Sequence, residues 1–205
     1  MAGRGRNKKL LHAQISDKKK TKTESEKRIE INRAPVLTLW VAVVAEREGY
    51  SFQEGLSFGK LIAGIFAHSK GRRLGIYEED EQDKEQRKRK RKQAEKICVF
   101  GMKIAAHTIK EGSRLAMQNN KPISPASVES YLRRAFGPHY EQAKEALQGL
   151  TRAYPPKQIG SEAYSLYEKI RPQVQGGIRG WGAKGYLDLD LVEQLQSEAE
   201  NALTT

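Results

Sequence analysis

The chain has 205 residues, of which 38% are hydrophobic and 30% charged, and a formal net charge of +12. That length suits one domain with tails and can bury a core unaided, while the lone Cys98 excludes an intramolecular disulfide and fits a reducing compartment. The longest apolar run, Ala34 to Ala45, is too short to span a bilayer, and Met1 to Arg28 offers no inserting stretch, so a soluble intracellular protein with no membrane partner is expected.

The charge is uneven. Residues 1–28 hold ten Lys/Arg against three acids, whereas the remaining stretches are close to balanced. Residues 1–30 lack apolar periodicity and read as a disordered basic arm. Such an arm is either the electrostatic footprint of a nucleic-acid binder or a solubilising or import segment.

At Ala34 the texture changes. Pro35 suits a first helical position, and Leu37, Trp40, Val41, Val44 and Ala45 recur at helical spacing, with Val36, Leu39 and Val43 covering the other sides. This is the expected core helix. Gly49 stops it, and Ser51 with Glu54 forms a capping box for a second helix running to about Ser69. Phe52, Leu56, Ile62, Ala63 and Phe66 form its apolar stripe, and Gly55, Gly59, Ala63 and Ala67 a smooth ridge for close helix approach. A helix-turn-helix that reads DNA would need outward Arg, Asn or Gln on the second helix, so a packed hairpin is the better reading.

Residues 78–96, EEDEQDKEQRKRKRKQAEK, read as an exposed charged insertion, helical in part and without a core face. Residues 97–118 suggest a short β-hairpin, since Met102, Ile104 and Ala106 alternate with Lys103 and His107. Four helices follow: one opened by Ser124-Pro125 and closed by Gly137-Pro138, one ended by Pro155-Pro156, one stopped at Pro172, and a last one from about Asp190. Their inward residues are Val128, Tyr131, Leu132, Ala135 and Phe136; Tyr140, Ala143, Leu147 and Leu150; Ile159, Ala163, Leu166, Tyr167 and Ile170; and Leu191, Val192, Leu195, Ala199 and Ala202.

Three blocks, INRAPVLTLWVAVVAEREGYSFQEGLSFGKLIAG (31–64), SPASVESYLRRAFG (124–137) and RPQVQGGIRGWGAKGYLDLDLV (171–192), resemble a family of small, mainly helical proteins with no assigned function. The resemblance implies one folded unit over most of 31–195, and no activity.

Three groups of residues are candidate nucleic-acid contacts. Arg87, Lys88, Arg89, Lys90, Arg91 and Lys92 are six consecutive cations, which cannot all be buried and serve import, phosphate binding or both. Lys70, Arg72 and Arg73 end the second helix, where cations satisfy the helix dipole and Gly71 is expected to cap. Arg179, Trp181 and Lys184 stand in a Gly-rich segment in which Trp181 either plugs the core or stacks on bases; the plug is the favoured reading. Gly180 to Gly185 matches the dinucleotide fingerprint only formally, with no strand predicted before it and no helix directly after.

His12, His68, His107 and His139 are scattered, no Cys/His pair has metal spacing, and Asp188 and Asp190 suit caps better than catalysis. The expected architecture is mainly α: a multi-helix domain over 31–203 with a short hairpin, interrupted at 78–96 and preceded by the arm. The expected function is a non-catalytic, cofactor-free accessory protein that associates with nucleic acid or chromatin in the nucleus. A protein-interaction module with basic runs used only for import is the alternative, and an enzyme acting on a phosphorylated substrate at the Gly-rich loop the third.

Overall fold

In the computed structural model, which describes residues 27–74, 95–109, 112–119, 121–174, 176 and 182–204, the chain enters on a strand, β1 (Arg28–Asn32). Ile29 and Ile31 point inward between exposed Arg28 and Glu30, the alternation that a half-buried strand requires. Asn32 then caps helix α1 (Arg33–Arg47), its side chain accepting the Ala34 N–H at 3.1 Å. Pro35 therefore stands third in the helix rather than first, still among the four positions whose N–H has no intrahelical acceptor. Every residue from Pro35 to Ala45 is buried, which makes α1 the central helix as its composition implied.

Gly49, at φ 100°, ends that helix, and Ser51 and Glu54 form both halves of the capping box for α2 (Phe52–Arg73). The small-residue ridge brings α2 directly against α1. A Cβ added at Gly55 would lie 2.6 Å from the Ala42 carbonyl oxygen, and one at Gly59 would strike that of Thr38. The two helices are thus a closely packed hairpin. The helix outlasts its expected end at Ser69: Gly71 is buried inside its last turn instead of capping, and Leu74 is the C-cap.

The segment expected to form a hairpin is larger. Strands β2 (Glu95–Val99), β3 (Met102–Thr108), β4 (Arg114–Gln118) and β5 (Lys121–Pro122) form one antiparallel sheet in chain order. Phe100 and Gly101, both at positive φ, make the β2–β3 turn, and Asn119 at φ 51° opens the β4–β5 turn. The sheet is fastened to α2 by side chains rather than strands. Arg114 N–H donates to Glu54 Oε1 at 2.7 Å and Ala116 N–H to Ser57 Oγ at 3.0 Å, which accounts for two buried polar residues on an otherwise apolar face.

The four expected helices follow as α3 (Pro125–Phe136), α4 (Tyr140–Arg152), α5 (Pro156–Ile170) and α6 (Leu189–Thr204). Their core residues are largely those the periodicity marked, except that Tyr131, Ala135, Leu191 and Ala199 are half-buried and Ala202 is exposed. Trp40, fully buried, ties α1 to α5 by donating from its indole to the Ala163 carbonyl at 2.8 Å.

A second sheet was not anticipated. β1 pairs antiparallel with β6 (Lys184–Asp188), Arg28 opposite Asp188 and Asn32 opposite Lys184. Residues 28–30 thus belong to the fold and not to the arm read over 1–30. Two isoleucines are too few to signal periodicity, and their partner strand lies far along the chain. Lys27 reinforces the closure by bridging Asp190 at 2.6 Å and Glu193 at 3.0 Å. Asp188 caps α6, its carboxylate accepting the N–H groups of Asp190 and Leu191.

Candidate anion-binding groove

Three elements meet where the β4–β5 hairpin runs into α3 and α3 lies along α2. Gln118 and Lys121 are paired at the hairpin's end, Pro122 and Ile123 continue from it, and Ser124 caps α3 with its hydroxyl toward the Ser127 N–H at 3.4 Å. On α3, Ser127, Tyr131 and Arg134 fall at i, i+4 and i+7, one face of the helix. Lys60 reaches that face from α2, its ammonium 4.7 Å from the centre of the Tyr131 ring. Together they line a groove of about 460 Å³.

The lining has two characters. Lys60, Lys121 and Arg134 supply three positive charges, and no carboxylate lines the groove among the described residues. None of the three makes an ion pair among the described residues. Their neighbour Arg133 shows the contrast: it bridges Glu129 and Glu141 at 2.9 and 2.8 Å and stacks on Tyr140, so it is spent on the fold. Pro122, Ile123, Val128 and the Tyr131 ring make the apolar wall, and burial pushes the Tyr131 phenol up from its ordinary pKa, keeping it neutral. Gln118, Ser124 and Ser127 add an amide and two hydroxyls. Such a concavity suits an anion that also carries a flat or apolar part.

Of the residues singled out by sequence, the described ones are elsewhere. Lys70, Arg72 and Arg73 occupy the last turn of α2, about 15 Å or more along its axis from Lys60 at the usual helical rise. Lys184 opens β6, with its ammonium 4.0 Å from Glu30 across the small sheet. Arg87, Lys88, Arg89, Lys90, Arg91, Lys92, Arg179 and Trp181 lie outside the described residues, so the question of plug or platform at Trp181 does too. Gly185 does serve close backbone approach, since a Cβ there would strike the Gln173 carbonyl. The Gly-rich segment leads into a strand, β6, rather than emerging from one.

Sequence reading missed Lys60, Lys121 and Arg134 as a group. The α3 spacing was a usable signal, but nothing local links it to Lys60 or Lys121. Among the described residues no three His, Cys, Asp or Glu side chains come together in a way that could hold a metal ion, and no described helix is long and apolar enough to cross a membrane. No protein-family model, curated protein or solved structure matches the chain.

Proposed function

We propose that this chain is a non-catalytic, nucleus-directed accessory protein that associates with nucleic acid, holding phosphate in the groove lined by Lys60, Lys121 and Arg134. The observation that carries the reading is the convergence of three cations that, among the described residues, have no ion pairs and share a concavity with no carboxylate. Cations from three elements repel one another, so their convergence costs stability unless an anion is met there. The described lining side chains are cations, an amide, hydroxyls and apolar groups, a set that suits holding an anion. The basic runs at 1–28 and 87–92 add a sequence-independent attraction that brings polyanions to it.

The test is a salt series. Binding of the full chain to a duplex or single-stranded oligonucleotide is expected to weaken with salt, with a log–log slope of roughly 0.7–0.9 per phosphate held. Replacing Lys60, Lys121 and Arg134 by Gln should lower that slope by about two to three units. A slope and affinity unchanged in this triple variant would reject the groove as the nucleic-acid site.

A further inference from the structure

Resting on that reading, the groove also indicates which form of nucleic acid it takes: we infer that it holds one nucleotide unit of a single strand, with the phosphate on Lys121 and Arg134 and the base against the Pro122–Ile123–Tyr131 wall. Cations alone suit any polyanion. The apolar wall does not, because a duplex keeps its bases stacked inside and presents phosphates on a convex surface. Against a duplex the Pro122, Ile123 and Tyr131 surfaces would meet only sugar and water, so that half of the groove would contribute nothing.

A single strand can turn one base out and lay its face on an apolar or aromatic surface while the adjoining phosphate meets a cation. The groove matches that division within one nucleotide's dimensions. Its volume of about 460 Å³ lies within the range of roughly 300–1,000 Å³ that accommodates a small-molecule-sized unit. Lys60 lies over the Tyr131 ring, 4.7 Å from its centre, so one cation of the groove sits directly on the aromatic part of its wall. Gln118, whose amide both donates and accepts, and the Ser124 and Ser127 hydroxyls stand where a base edge or sugar would be placed, and all three residues are exposed.

The experiment uses the full chain and three labelled probes of equal length and phosphate count per strand: a mixed-sequence single strand, the same strand with abasic sites throughout, and the duplex. Binding is followed by anisotropy at about 200 mM salt, where non-specific electrostatic attraction is weak. The normal strand is expected to bind about tenfold more tightly than both the abasic strand and the duplex. In Lys121→Gln/Arg134→Gln, whose side chains are exposed so that melting stays unchanged, that preference should disappear. Equal binding of all three probes, weakened together by the double variant, leaves nucleic-acid association in the groove intact and overturns the single-strand inference. A single-strand preference that survives the double variant places it outside the groove and overturns the inference as well. Binding of none of the probes rejects both readings.

Discussion

Glu54 and Arg114 join the first turn of α2 to strand β4: the carboxylate's Oε1 accepts the Arg114 backbone N–H at 2.7 Å, while its Oε2 accepts the Ser51 N–H and hydroxyl at 2.7 and 2.9 Å. Burial acts to raise the Glu54 pKa, but these hydrogen bonds together outweigh it and hold the carboxyl below its usual value. A depressed native pKa contributes stability that is complete above the unfolded-state value, about 4.3, and is lost as pH falls through the native one. Glu54→Gln keeps the size but turns an amide donor toward a donor, and is expected to cost about 2 kcal/mol at pH 7. Urea unfolding of both proteins from pH 7 downward should show the gap narrowing in acid; a gap independent of pH would rule out the ionised cap.

Glu48 should behave with the opposite sign. Burial pushes its carboxyl up, with the Phe100 N–H at 3.4 Å only partly offsetting it. A raised native pKa means the charged form is penalised in the fold, so the cost is largest above the native value and fades as pH falls toward the unfolded one. Glu48→Gln keeps an acceptor for Phe100 and is expected to stabilise the protein at pH 7 by about 0.5–1 kcal/mol, with no gain near pH 4. Chemical denaturation at the two pH values checks this.

Two glycines of α2 make a paired test. Gly59→Ala puts a methyl group into the Thr38 backbone carbonyl, and is expected to cost about 3 kcal/mol because neither the new Cβ nor that backbone can yield by a rotamer change. Gly64→Ala meets nothing within 4 Å and should stabilise the helix by about 0.5–1 kcal/mol. Melting curves should move in opposite directions.

Trp40→Phe removes the indole donor to the Ala163 carbonyl and leaves a void in a fully buried site. The expected loss is about 2–3 kcal/mol, measured as a lower denaturation midpoint with unchanged slope.

What was legible in the sequence follows from range. The apolar run of α1 is continuous, the Ser51–Glu54 box spans three residues, and Val128, Leu132 and Phe136 repeat within one helix, so each carries its own signal. β1 carries two inward isoleucines and depends on a strand near the other end of the described chain. The functional reading had the same bias. Adjacent cations such as Arg87 to Lys92 draw attention because they are neighbours in sequence, whereas Lys60, Lys121 and Arg134 become neighbours only when α2, the β4–β5 hairpin and α3 meet.

The pairing of Arg28 with Asp188 spans 160 residues of chain, and this orders events during synthesis. At about 5–20 residues per second, β1 must wait roughly 8–30 s after leaving the ribosome before its partner strand exists. Through that interval the backbone N–H and C=O groups of β1 have no partner strand, so a nascent chain would present an unpaired strand edge to chaperones until translation reaches β6.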